Sequence, residues 1–260
     1  MSGKLHRKPL LEAVFEFKWK TRDRNDGVSV DPDYTFLIGL FKNAVRDRFP
    51  EAVQLPTSQI PVEMASHVAQ YQFRVARNQW PLVQLGPGVV TVNETSSYEW
   101  DNHFETDCKN TVKQLLDVHP HSDSVQPFQA QLRFINGIFI DDDENVLSVL
   151  ENGLNTHISL PERVMDVVGS DTDPIGLGMS FSYPIIDPPS TLIVKFNRGQ
   201  AHDRDALIWE ISVLADEQNI RSFFSQYSAW LDSAHAIAEA AFFGFLSDEL
   251  LRRFEYESDK

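Results

Sequence analysis

A single cysteine, Cys108, leaves the chain no intramolecular disulfide. Nothing therefore argues for the disulfide-stapled frameworks of small secreted domains. Long apolar runs are also missing. Lys4, Arg7 and Lys8 precede Leu10 and Leu11, but Glu12 follows at once, so no apolar signal core develops. The most apolar later stretch, 234–246, is interrupted by Glu239 and falls short of the ~20 residues that a membrane-spanning helix needs. The expectation is a cytoplasmic protein without a membrane contact.

Catalytic signatures are equally scarce. There is no Gly-x-Ser-x-Gly elbow, no His-Glu-x-x-His pair and no Cys-x-x-Cys pair. Gly86-Pro87-Gly88 lacks the Lys and Ser/Thr of a phosphate loop; Pro followed by Gly is the chemistry of a type II turn. The reading leans away from an enzyme, and it calls for no cofactor and no metal.

Positive charge is in short supply. The chain has 23 Lys and Arg against 38 Asp and Glu, for a net charge of -15. Residues 1–125 carry 14 basic against 16 acidic residues; residues 126–260 carry 9 against 22, so the halves stand at -2 and -13. Such a balance disfavours direct nucleic-acid binding, which depends on Lys and Arg displacing counterions from phosphates. It is suited to a protein partner with a basic surface, or to solubility alone.

What the sequence does hold is core-forming material, including 18 Phe and 5 Trp. Leu11, Ala13, Phe15, Phe17 and Trp19 alternate with polar residues, which predicts a half-buried strand. Asp31 and Pro32 open a helix with the stripe Tyr34, Leu37, Phe41 and Val45, and Pro50 ends it. Strands are expected over 71–75, 80–85 and 89–93, then a helix over 100–118. The order repeats: a strand over 130–140, a short helix near 146–154 capped by Asp142 or Asp143, strands over 177–183, 191–197 and 207–215, and a long helix over 220–245. Ser247 is suited to cap a last helix. The predicted fold is α+β: two tandem strand-helix-three-strands-helix units, 1–122 and 123–260, whose antiparallel sheets grip long helices. The topology is TATA-binding-protein-like or helix-grip-like, an analogy of fold that carries no function.

Four stretches carry a family resemblance. They are Pro9-Leu10-Leu11-Glu12-Ala13-Val14-Phe15-Glu16-Phe17; Val83-Gln84-Leu85-Gly86-Pro87-Gly88 with Thr91-Val92-Asn93; Arg133-Phe134-Ile135-Asn136; and Asp232-Ser233-Ala234-His235 with Phe242-Phe243. Together they resemble a sporadically distributed prokaryotic family of about this length, functionally uncharacterised. The resemblance implies a shared fold and supplies no catalytic residue or cofactor. Sporadic distribution implies mobile or defence-linked loci.

Individual polar residues invite sharper readings. Cys108 lies on the apolar stripe from Trp100 to Leu115, which points to core packing rather than a reactive thiolate. The run Asp141, Asp142, Asp143, Glu144 lacks the glycine and alternation of a calcium loop; it is suited to helix capping, and as the densest acidic patch it is the place for a basic partner to dock. His119, His121, Asp117 and Asp123 are of metal-ligand type, yet a site there needs a ligand from elsewhere, so a solvated turn is expected. His235 is placed for a surface pair with Glu239. Arg133 and Asn136, at opposite parities of an apolar strand, are candidate binding residues or satisfied buried polar groups. The leading expectation is a non-enzymatic binding or regulatory accessory protein. The alternatives are a small-ligand sensor or enzyme with its site under the sheet, and an acidic mimic of nucleic acid. A deep cavity with converging polar groups favours the sensor; an exposed aromatic patch favours the protein partner.

Overall fold

In chain order the first half runs β1 (Gly3–Leu5), β2 (Leu10–Trp19), the short β3 (Arg22–Asp23) and β4 (Ser29–Val30), α1 (Tyr34–Val45), β5 (Glu51–Gln54), β6 (Tyr71–Arg74), β7 (Leu82–Gly86), β8 (Val89–Glu94) and α2 (Glu105–Val118). The second half runs β9 (Pro127–Phe139), α3 (Val146–Ser148), α4 (Glu162–Val168), β10 (Gly178–Ile185), β11 (Ser190–Ala201), β12 (Arg204–Ala215), α5 (Phe223–Phe245), α6 (Asp248–Arg253) and β13 (Tyr256–Ser258). This computed structural model describes the whole chain apart from residues 1–2, 24–27, 96, 142–143, 169–172, 221–222 and 259–260. Among the described residues no helix is long and apolar enough to cross a membrane.

The architecture is mixed α and β around one large antiparallel sheet. Its nine strands follow the order β10-β11-β12-β9-β2-β8-β7-β6-β5. From the central β2–β9 pair outward, the first half runs β2-β8-β7-β6-β5 and the second β9-β12-β11-β10. One continuous sheet thus crosses both halves. β1 and β13 pair separately and bring the two ends of the chain together.

Alternation along β2 explains its central place. Ala13, Phe15, Phe17 and Trp19 are buried, and the register sets Phe15 beside Leu132 of β9 and Val92 of β8. The same face continues through Val83, Leu85 and Phe73 on one side and through Trp209, Ile211, Val194 and Phe196 on the other, all buried. α1 lays Tyr34, Leu37, Phe41 and Val45 into this core, and the Phe41 ring meets Phe73 edge-on at 5.6 Å. α5 contributes Trp230, Leu231, Ala234 and Ala238, and its Phe242 stacks on Trp209 at 5.0 Å. Each large side chain so buried contributes about 1.5–3 kcal/mol before entropy is counted.

Local chemistry accounts for several details. At Gly88 φ is +74°, as the second central residue of a type II turn requires. Ser247 accepts a hydrogen bond from the Leu250 amide and caps α6. The start of α1 departs from expectation. Asp33 occupies the cap position without a side-chain capping bond, and Asp31 accepts the Asp33 amide instead. Asn145, whose Oδ1 accepts from Leu147, caps α3; Asp142 and Asp143 lie outside the described residues. A π-helical turn, Trp100–Phe104, precedes α2. β5 was not anticipated, because all four of its residues are exposed and no alternation marks it.

Candidate functional site

A polar and aromatic concavity lies where α5, the turn into α2 and the chain before β2 come together over the sheet. Its volume is about 410 Å³. Phe134 and Asn136 of β9 and Ile211 of β12 form the floor; His235, Ala238, Glu239 and Phe242 of α5 form one wall. Residues 98–102 line it beside α5, and Lys4, Lys8, Pro9 and Leu10 complete the lining.

Aromatic rings set the shape. Trp100 and His235 stack face to face, centroids 3.8 Å apart and planes 5° from parallel. Phe134 meets Tyr98 edge-on at 5.6 Å and His235 at 6.1 Å. His235 is thus committed to a ring stack rather than to the surface pair its sequence position predicts. Burial pushes its pKa down to about 4, against the pull of Asp101 and Asp232, so the ring is neutral at pH 7.

Charge collects at the rim. The Lys8 ammonium donates to the Tyr98 carbonyl and lies 5.7 Å from the Tyr98 ring centre. Burial lowers the Lys8 pKa, opposed by Glu99. Glu99 pairs with Lys4 at 3.7 Å; its carboxyl is held below the usual range first by the hydrogen bond from Asn102, then by Lys4. The Tyr98 hydroxyl is buried and its pKa is raised by desolvation. Among the described residues no Ser, Thr or Cys lines the cleft. It offers an apolar slot with both signs of charge at its mouth, an arrangement suited to holding a flat polar molecule.

The residues singled out in the sequence disperse. Asn136 is buried in the cleft floor, its Nδ2 directed at the Trp209 carbonyl at 3.4 Å. Arg133 faces the other side of the sheet, where the register sets it beside Val14 and Ser212. Asp141 is exposed just past β9, 3.4 Å from Arg204; Asp142 and Asp143 lie outside the described residues. Cys108 is fully buried and its thiol pKa is pushed up by desolvation, which matches a packing role. Trp100, Tyr98, Phe134 and Lys8 were not anticipated as one site. Trp100 and Phe134 lie on predicted elements, but nothing in the sequence says that a ring at 100 meets a ring at 235.

Neither a scan against protein-family models nor a search of curated proteins returns a match to this chain. Fold analogy carries no activity, so the functional reading rests on the site itself.

Proposed function

We propose that the chain is a regulatory binding protein that senses a small, flat, polar molecule in this cleft. The observation that carries the reading is the Trp100–His235 stack at a 410 Å³ cavity that Lys8, Asn136 and Glu239 also line. Aromatic faces supply contact area at little entropy cost, and a few converging polar groups fix orientation. The volume lies in the range of small-molecule sites, roughly 300–1,000 Å³. The strand order, running outward from the central pair as β2-β8-β7-β6 and β9-β12-β11-β10, supports two related β-α-β-β-β-α units in a TATA-binding-protein-like arrangement, with β5 an addition to the first and the cleft lined by both. Thermal-shift screening against nucleosides, nucleotides and aromatic carboxylates tests the proposal. At least one class should raise the melting temperature of the wild type and leave Trp100→Ala unmoved. A panel that stabilises neither protein, or both equally, would count against it.

A second reading, an accessory protein that binds a basic protein partner, is favoured by the sheet edge. β10 is an outermost strand with Phe181 and Tyr183 exposed and no charged residue along it. Such an edge is open to strand addition. The net charge of -13 on residues 126–260 suits a basic partner. Affinity capture from host cells should lose its specific partner on Phe181→Ser with Tyr183→Ser; unchanged capture removes this reading.

A further inference from the structure

Two proline-centred segments distant in sequence meet at the end of β2 away from the cleft. One is Asp31-Pro32-Asp33 at the start of α1; the other is His119-Pro120-His121 just past α2. Leu10 at one end of β2 lines the cleft, and Trp19 at the other end touches this cluster. At about 3.3 Å per residue the two places stand roughly 30 Å apart.

One oxygen of Asp31, one of Asp33 and a ring nitrogen of His119 lie within 4.8 Å of one another. Asp31 and His119 are buried, at 6% and 8% exposure. Burying a carboxylate beside a second carboxylate is costly without compensating charge. Asp31 is held in place by three donors: the Trp19 indole N–H and the Gly88 amide on Oδ2, and the Asp33 amide on Oδ1. A carboxylate has about four acceptor positions, so one remains for a further partner. His119 Nδ1 accepts the His121 amide at 3.2 Å, while Nε2 is buried with no hydrogen-bond partner among the described residues. His121 Nδ1 lies 2.9 Å from Asp33 Oδ1 and steadies the second carboxylate.

We propose that Asp31, Asp33 and His119 form a binding site for a divalent transition metal, with zinc the ion it fits. Mixed imidazole and carboxylate ligands suit zinc, cobalt or nickel; magnesium and calcium take oxygen sets. A zinc ion supplies the missing partner for Nε2 and neutralises the two carboxylates. Bonds of about 2.0–2.2 Å draw the three atoms closer than they now stand, through rotation of the half-buried Asp33. With the metal on Nε2 the ring proton sits on Nδ1, and the His121 amide turns away from it. The hydrogen bonds to Asp31 and Asp33 are the outer contacts that orient metal ligands. The competing occupant is an ordered water bridging Nε2–H to the carboxylates.

The test is calorimetric titration of untagged, chelator-stripped protein with Zn²⁺ alone, repeated with Mg²⁺ and with Asp33→Asn and His119→Gln. The expected result is one Zn²⁺ per chain, with no Mg²⁺ uptake. Each variant should weaken zinc binding by more than the roughly 10–100-fold that losing an outer-shell partner costs. Asp33 makes no capping bond, so Asp33→Asn should fold normally even if His119→Gln does not. Co²⁺ should give the intense visible absorption of a tetrahedral site in the wild type only. Failure to take up zinc, uptake unchanged by Asp33→Asn, or equal affinity for Mg²⁺ would each overturn the proposal.

Discussion

Two seams between helices run across the same sheet, and they are finished differently. The α1–α2 seam is closed by Arg48, whose guanidinium makes paired hydrogen bonds of 3.0 and 2.8 Å to the buried Asp107 carboxylate. The α2–α5 seam is bridged by Lys109, bonded to Asp232 at 2.8 Å, and by the Trp100–His235 stack; beyond that stack it opens into the cleft. In the first seam a buried carboxylate is met by a paired guanidinium. In the second, rings and mixed charges line a cavity. Where polar groups are buried against each other the contact serves stability, and where they line an opening they can also meet a ligand.

The comparison can be broken from the core side first. Trp209 lies under α5 with Phe242 stacked on it and Phe245 edge-on at 5.6 Å. Trp209→Ala should cost about 3–5 kcal/mol by denaturant unfolding, since both rings lose their packing surface. A loss below 1 kcal/mol would mean that α5 is not anchored there.

The closed seam comes next. Arg48→Ala leaves Asp107 buried and without its cation, which should cost about 2–4 kcal/mol. The partner's half-exposed position sets the lower end of that range. Asp107→Asn should cost less, because the remaining Arg48 can reach water. The reverse order would contradict the seam as described.

Acid sharpens the contrast between seams. The His235 pKa falls from 6.5 to about 4 on folding, so the unfolded chain takes up a proton more readily than the folded one. Stability from this group is complete above pH 6.5 and is lost as pH falls toward 4, by at most ~3 kcal/mol. His235→Phe keeps a ring against Trp100 and should flatten the difference between pH 7 and pH 4.5 relative to wild type. Parallel profiles for the two proteins would refute the assignment.

Smaller effects test the core and the surface. Cys108→Ser places a hydroxyl on an apolar stripe and should cost about 1–2 kcal/mol while leaving ligand binding unchanged. Asp141→Asn removes one exposed ion pair with Arg204 and should change stability by less than about 0.5 kcal/mol. Loss of binding in the cysteine variant at unchanged melting temperature would contradict its packing role.

Much of this framework was legible in the sequence, for identifiable reasons. Alternation over 11–19 and the stripe from Tyr34 to Val45 are signals of local geometry, and both reappear as β2 and α1. The α4 helix has no amphipathic signal in the sequence: Val164 and Val167 are exposed, and no buried stripe runs along its described side chains. The site was hidden for a different reason. Asn136 stands out by its polarity in an apolar strand, but its cleft is built from segments joined only by the sheet register and by α5. The His119 turn lacked a further ligand in its own stretch of sequence; Asp31 and Asp33 approach it from the start of another helix.

The open seam is the central claim, and side-chain NMR of Trp100 and His235 tests it directly. A fragment library is screened against protein labelled at the tryptophan indoles and histidine rings. The account predicts that flat polar fragments shift the Trp100 indole and the His235 ring together, and that Lys8→Ala weakens those fragments that carry an acidic group. Fragments that bind without moving either ring, or a library in which nothing binds, would contradict it.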